Sequence, residues 1–285
     1  MSISILAIFV VYLFFFEDEI SIQGKTVLGK KYIIGPGGKG SNQAIAAARA
    51  GGDVSFVTKL GKDNYADMAL KLYQEAGVNT QAVILDSNLN TGAAGILINQ
   101  KTGENAINVI PGAAATINHK FIDDNLSIIK NSKIFLTQLE TSIDATMYAL
   151  KMAKENGCTT ILNPAPARNL PNDCFENIDF FTPNETEASF FINQSIESEE
   201  DCQSAAKVLL DKGVKNILIT LGDKGCFFKN QEEEFLLPAK KLSAPVVDTT
   251  GAGDAFNGAF SVALSKNKNY KEAIEFANLV AGISV

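Results

Sequence analysis

From Asn64 onward the chain alternates two hydrophobic rhythms. Tyr65, Met68, Ala69, Leu72, Tyr73 and Ala76 recur at helical spacing, and so do Ala145, Tyr148, Ala149, Met152 and Ala153. Each set places its apolar side chains on one helix face. Between and after them lie short apolar runs at 134–136, 159–162, 179–181 and 217–220. Strands alternating with helices predict βαβ units, and hence an α/β fold with a doubly wound, mostly parallel sheet. Each run leads into polar residues: Gln138 and Glu140, then Asn163, then Asn184 and Glu187, then Thr220 and Gly222. Ligands of open α/β sheets bind beyond the carboxyl ends of the strands, so these residues mark the expected site.

Two stretches, 20–34 and 82–110, break the rhythm with short apolar runs punctuated by Gly, Asn and Thr. Residues 93–98 and 106–110 flank Asn99-Gln-Lys-Thr-Gly-Glu104, which reads as a hairpin turn. These stretches predict a small β-sheet lid, from segments of about 17–36 and 81–112, on a single domain spanning 1–285. Such a flap excludes water from a reacting group. Residues 3–16 are almost unbroken apolar, yet a membrane-spanning helix needs about 20 such residues and a secretory signal carries basic residues ahead of its core. The run therefore predicts a buried strand and no membrane partner.

Composition narrows the chemistry. The chain has 285 residues and a net charge of −7, without the basic footprint of a nucleic-acid binder. Cys158, Cys174, Cys202 and Cys226 lie far apart with no Cys-x-x-Cys pair, as in a reduced cytoplasmic protein. His119 is the only histidine and sits in a polar stretch, which argues against a Ser-His or Cys-His mechanism. A carboxylate or a lysine must carry any acid–base step.

The strongest motif is Asp248-Thr-Thr-Gly-Ala-Gly-Asp254-Ala-Phe-Asn-Gly258, followed by apolar residues at helical spacing. Gly251, Ala252 and Gly253 would open a helix whose amides and dipole gather phosphate oxygens. Asp254, at the helix start, would accept the proton of a hydroxyl attacking phosphorus. The plainer alternative is that Asp254 only complements the helix N-terminus.

With Gly35-Pro-Gly-Gly-Lys-Gly-Ser-Asn-Gln43, Gln138-Leu-Glu140, Asn163-Pro-Ala-Pro-Ala167, Thr182-Pro-Asn-Glu-Thr-Glu187 and Thr220-Leu-Gly-Asp-Lys-Gly225 in the same order, the chain resembles the ribokinase-like (PfkB) carbohydrate kinases from about residue 24 to 285. The resemblance implies ATP-dependent phosphorylation of a sugar hydroxyl, with D-ribose giving ribose 5-phosphate first among the candidates. By the same resemblance, Gly38, Lys39, Gly40, Ser41 and Asn42 form a sugar loop, and Glu140 holds another sugar hydroxyl. Asn184, Thr220, Leu221, Gly222, Asp223, Lys224, Gly225, Gly253 and Asn278 line the nucleotide. Glu187 acts on Mg²⁺ through water, and Asp248, Thr250 and Ser284 serve a monovalent cation, K⁺. A homodimer is implied as well. Taken by themselves, Asn184 and Glu187 also read as a helix cap, and Glu140 as a solvated first-turn carboxylate.

Gly35-Pro-Gly37-Gly-Lys-Gly40 also satisfies the dinucleotide fingerprint, with Asp63 near the place of a ribose-binding acid. An NAD-binding oxidoreductase is the remote alternative. The ends depart from the family pattern. Members open with Gly-Ser-x-Asn-x-Asp, whose Asp grips the sugar, whereas the matching stretch at about 8–15 carries no Asp before Asp18. The chain stops at Val285, ahead of the family's closing Thr-Arg segment. These departures leave a second expectation open: a catalytically impaired relative that binds nucleotide and turns over sugar poorly.

Overall fold

The structure, a computed structural model, describes residues 2–240, 246 and 248–285. The opening apolar run is not one strand. It divides into β1 (Ser2–Leu6) and β2 (Val10–Glu17), which lie in different sheets. Side-chain hydroxyls end the first ladder: Thr137 donates to the Leu6 carbonyl (2.9 Å) and Thr58 to the Ala7 carbonyl (2.7 Å). With those acceptors occupied, the chain leaves the large sheet and enters the small one. After β3 (Lys31–Gly37) come α1 (Lys39–Arg49), β4 (Asp53–Gly61), α2 (Asn64–Ala76) and β5 (Asn79–Asp86). The hairpin follows as β6 (Thr91–Asn99) and β7 (Asn105–Gly112), its turn at the expected place.

The α/β rhythm then runs through two short helices, α3 (His119–Asp124) and α4 (Leu126–Lys130), to β8 (Ile134–Thr137) and α5 (Ile143–Glu155). It continues with β9 (Thr159–Leu162), β10 (Phe180–Phe181), α6 (Glu185–Ile192), α7 (Glu199–Asp211) and β11 (Asn216–Thr220). An antiparallel pair, β12 (Cys226–Lys229) and β13 (Glu234–Leu237), precedes α8 (Ala252–Ser265) and α9 (Tyr270–Ile283).

The large sheet has nine strands in the order β13-β12-β11-β10-β9-β8-β1-β4-β5, parallel from β11 to β5. Ile3 and Ile5 of β1 face one apolar cluster with Ala44, Tyr73, Phe256 and Phe260. Leu6 faces the other, with Ala145, Ala149, Ala205 and Leu209. α1, α2, α8 and α9 thus cover one face, and α5 and α7 the other, which is the doubly wound arrangement.

The small sheet has the order β3-β2-β6-β7. It differs from the sequence expectation at both ends. β2 belongs to it, although hydrophobicity alone put that segment in the main core. Residues 82–86, expected in the lid, form part of β5 at the edge of the large sheet. β5 pairs parallel with β4 through the α2 crossover, and an edge position leaves Ile84 and Leu85 half exposed, so they look like a lid strand in sequence. Asp18, at the outer end of β2, pairs with Lys30 (2.6 Å) and Lys101 (3.5 Å) on the surface.

Candidate active site

Two helix N-termini meet over the carboxyl ends of the parallel strands. The first is that of α1. Gly38, its N-cap, has φ +96°, and a Cβ there would lie 2.6 Å from the Ile8 carbonyl oxygen. A side chain at Gly40 would overlap Ala7 and Gln138. These two glycines let the helix start press onto the ends of β1 and β8, where the Lys39 amide donates to Glu140 Oε2 at 2.8 Å. Glu140 is therefore held inside the site and is not a solvated carboxylate. The second N-terminus is that of α8. Gly251 caps it at φ +84°, and no side chain bonds its free amides. The Ala252 amide donates to the Thr249 carbonyl (3.2 Å), which leaves the first-turn amides of Gly253 and Asp254 without an intrahelical acceptor.

Asp254 stands where the two helices meet. Its Oδ2 accepts from Asn42 Nδ2 (3.0 Å) and its Oδ1 from Gln43 Nε2 (3.0 Å). Gln43 is fully buried and also donates to Asn163 Oδ1 (3.0 Å), while its own Oε1 accepts from Gln138 Nε2 (2.6 Å). Asn163 Nδ2 donates to the Thr182 carbonyl, Thr182 Oγ1 to Asn257 Oδ1, and Asn257 Nδ2 to the Gly253 carbonyl. One continuous polar network thus ties the ends of β8, β9 and β10 to α1 and α8. Ser41 is drawn away from the site: its Oγ accepts from the buried Tyr73 hydroxyl at 2.9 Å.

The electrostatics follow from burial. Desolvation raises the Glu140 carboxyl to about 7, against the lowering influence of Lys39 and its amide. Asp254 is raised by the same burial, opposed by the Asn42 and Gln43 donors and by Lys39. Glu187 is raised too, again mainly by burial, with the Asn184 amide and Lys39 pulling the other way. Lys39, Asn163, Asn184, Glu187, Gly253 and Asp254 line a cavity of about 170 Å³. A larger groove of about 450 Å³ lies beside α5, lined by His119, Tyr148 and Cys174 among others. There His119 stacks on Tyr148 and pairs with the exposed Asp144 (3.0 Å), a surface arrangement with no buried carboxylate.

Of the nucleotide candidates, Asn184, Thr220 and Gly253 line the same cavity as Asp254. Asn184 and Glu187 do form a capping box, Asn184 Oδ1 accepting from the Glu187 amide (2.7 Å) and Glu187 Oε2 accepting from the Asn184 amide (2.9 Å), and they line the cavity as well. Cap and site residue are compatible here, because the box occupies one carboxylate oxygen. Thr220 ends β11 against the Pro183 carbonyl. The turn after it needs Gly225, whose φ is +108° and whose Cβ would overlap the Leu237 carbonyl. Leu221, Gly222, Asp223 and Lys224 form that turn, with Lys224 3.8 Å from Glu185. Asn278, on α9, has a buried Nδ2 without a partner. Asp248 Oδ1 accepts from the Thr250 amide (2.8 Å), and the Thr250 hydroxyl together with that amide holds its carboxyl below the usual range. Ser284 caps the end of α9, its Oγ donating to the Ala281 carbonyl (2.7 Å).

The dinucleotide reading fails on topology. The strand before Gly38 is β3, paired antiparallel with β2 in the small sheet, not the first strand of a βαβ unit. Asp63 caps α2, accepting from Tyr65 and Ala66, and its second oxygen accepts from Thr91.

Two contributions escaped the sequence reading. Gln43, Gln138 and Asn163 lie within recognised motifs, but only the fold shows that they hold Asp254. Tyr12 had no motif at all. Its hydroxyl accepts from the Gly38 amide at 3.3 Å, and a Cβ on Gly37 would collide with its ring. Burial raises its phenol, and Glu140, Lys39 and Asp254 all lie within electrostatic reach.

Comparison with known proteins identifies the family. The family described as pfkB family carbohydrate kinase matches residues 2–285. A ribokinase of Haemophilus influenzae is 37% identical over 262 residues, covering 92% of this chain and 85% of that protein. A deoxyribokinase of Salmonella typhi is 34% identical, covering 100% and 92%. The structure of an Arabidopsis thaliana ribokinase complexed with ribose and ATP superimposes with a TM-score of 0.92 at 30% identity, covering 99% and 91%.

The network around Asp254 predicts the effect of Gln43→Met, which keeps the volume and removes every donor and acceptor. Gln138 and Asn163 lose partners in a dry environment, at about 1–3 kcal/mol for each group left unpaired. Asp254 loses one of two donors, so its pKa rises further. Urea unfolding and NMR titration of the Asp254 carboxyl check both effects. An unchanged stability and an unchanged titration would show that Gln43 does not hold the carboxylate.

Proposed function

The chain belongs to the pfkB family of carbohydrate kinases, and from that premise we propose that it transfers the terminal phosphoryl group of ATP to the primary hydroxyl of a pentose, D-ribose giving ribose 5-phosphate. The observation that carries the reading is the placement of Asp254. It sits at the amide-rich start of α8, held by two side-chain amides, in a cavity it shares with Lys39, Asn184, Glu187 and Thr220, while the Lys39 amide holds Glu140 nearby. A hydroxyl beside Asp254 gives its proton to the carboxylate as its oxygen bonds to phosphorus. The bond from phosphorus to the β-phosphate oxygen breaks, and ADP departs. The amides of Gly253 and Asp254 and the α8 dipole face the negative charge of the transferring group. Asn42 and Gln43 keep both lobes of the base oriented throughout. With this set assembled, an active enzyme is favoured over an impaired relative.

Mg²⁺, when bound, neutralises the phosphate oxygens and aligns them for in-line transfer. Among the described residues no cluster of three or more acidic or other metal-ligating side chains occurs, which suits an ion carried mainly by phosphate and water. Glu187 and Asn184 are the residues assigned to that hydrated ion. Asp248 keeps its charge, and with Thr250 and Ser284 it is assigned to a monovalent cation, K⁺. The small sheet exposes Tyr32, Ile34, Ile107, Val109 and Ile110, an apolar area that supports a homodimer formed through the lids. No helix among the described residues is long and apolar enough to cross a membrane. The four cysteines are buried free thiols, in keeping with a cytoplasmic protein.

An ADP-release assay over a panel of sugars, with Mg²⁺ titrated and K⁺ present or absent, tests the reading. Ribose-dependent ADP release that needs Mg²⁺ and rises with K⁺ is expected; release equal with and without sugar would overturn it. Asp254→Asn keeps the size of the base and cannot take the proton, so turnover falls roughly 10²–10⁴-fold while ATP binding persists. Unchanged turnover would reduce Asp254 to a helix cap. Light scattering should give twice the chain mass, and a monomer at working concentration would remove the lid dimer.

The pH dependence follows from Glu140. Its carboxyl titrates near 7 in the folded protein, above its ordinary 4.5, so it is ionised only at the alkaline end of the neutral range. The ionised form accepts sugar hydroxyls at both oxygens; the protonated form loses an acceptor. KM for sugar should therefore rise about tenfold between pH 8 and pH 6, as the ionised fraction falls. Glu140→Gln should flatten that profile, and a parent profile already flat would show that the ionisation is irrelevant to sugar binding.

A further inference from the structure

The start of α1 acts as a ruler laid along the sugar side of the site. Asn42 and Gln43 hold the base, the Lys39 amide holds Glu140, and the Gly38 amide holds the Tyr12 hydroxyl. From Asn42 to Gly38 is four residues of helix rise, about 6 Å, a length that a five-carbon sugar spans. If the reacting hydroxyl lies at Asp254, Tyr12 faces the opposite end of the sugar, where a pentose carries its ring hydroxyls. Tyr12 reaches that place because β2 lies beside β3, and Gly37 lacks the side chain that would displace the ring. Its ring also packs edge-on to Phe14, 5.7 Å between centroids.

A phenol presents chemistry different from that of a carboxylate. A carboxylate accepts from two neighbouring hydroxyls at once, whereas a phenol has one proton to give and few lone pairs to offer. Here the Gly38 amide already occupies the acceptor side of the Tyr12 oxygen. What remains toward the sugar is a single O–H donor and an aromatic edge. A vicinal diol placed there has two protons to donate and finds on Tyr12 at most one remaining lone pair, weaker as an acceptor than a carboxylate, while a carbon bearing no hydroxyl fits the ring edge without loss.

Resting on the pentose-kinase reading above, we propose that Tyr12 sets the sugar specificity of the site, so that a 2-deoxypentose is taken at least as well as ribose. Tyr12 acts on binding of the sugar, remote from the reacting oxygen, so its effect falls on KM and spares kcat.

The experiment compares kcat/KM for D-ribose and 2-deoxy-D-ribose in the parent protein, Tyr12→Phe and Tyr12→Asp. The parent should favour 2-deoxyribose or treat the two alike. Tyr12→Asp, which introduces acceptors for the diol, should move the ratio toward ribose by about tenfold or more through KM. Tyr12→Phe keeps the packing on Gly37 and removes the donor, so KM should rise several-fold for both sugars with kcat steady. Thermal melts confirm that each variant is folded, and Tyr12→Asn takes the place of Tyr12→Asp should the latter fail to fold. A parent that prefers ribose tenfold or more, or a ratio unmoved in the folded acceptor variant, overturns the proposal. Absence of turnover with either pentose in every folded protein, alongside turnover of another sugar, overturns the pentose reading itself and this inference with it.

Discussion

The structure depends on a chain of buried amides that ends on one carboxylate. Gln138 donates to Gln43, Gln43 to both Asn163 and Asp254, and Asn163 to the backbone of the next strand. Each member is a polar group removed from water, and apart from Gln138 Oε1, which is left without a partner, the side-chain amides satisfy one another. The consequence is directional rigidity. An unpaired Asp254 in so dry a position would rotate or take up a proton. Held at both oxygens, it stays aimed at the space between two helix N-termini.

That arrangement needs backbone to approach backbone more closely than side chains allow. Gly38 and Gly40 permit α1 to descend onto the strand ends, and Gly225 permits the turn that follows β11. The division of the opening apolar run serves the same end. By leaving the large sheet at Ala7, the chain carries β2 into the small sheet and brings the Tyr12 hydroxyl to the Gly38 amide, so the small sheet and the site share one covalent segment.

The charges show a balance of the same kind. Glu140, Asp254 and Glu187 are all raised by burial, and Lys39 is the cation that pulls each of them back. Three carboxylates around one ammonium leave a net negative site, which accommodates a nucleotide most readily when cations accompany it.

Much of this was legible in the sequence. The helical spacing around Tyr65 and Ala145 and the short apolar runs between determined a parallel α/β sheet, because burying two faces leaves few other patterns. The Asp254 segment and the polar strand ends located the site, since glycines before a helix and carboxylates at strand ends have local chemical causes. Tertiary structure alone decided the rest. A run of apolar residues such as 3–16 carries no mark of where one sheet ends and another begins; that was settled by Thr58 and Thr137, distant in sequence, taking the carbonyls of Leu6 and Ala7. Ser41 looks like a site residue by position and is claimed by Tyr73 in the core, whereas Tyr12 looks like core and reaches the site. Hydrophobicity and motif order are properties of neighbours along the chain. Which hydroxyl meets which amide depends on contacts across tens or hundreds of residues, and only the folded packing brings those pairs together.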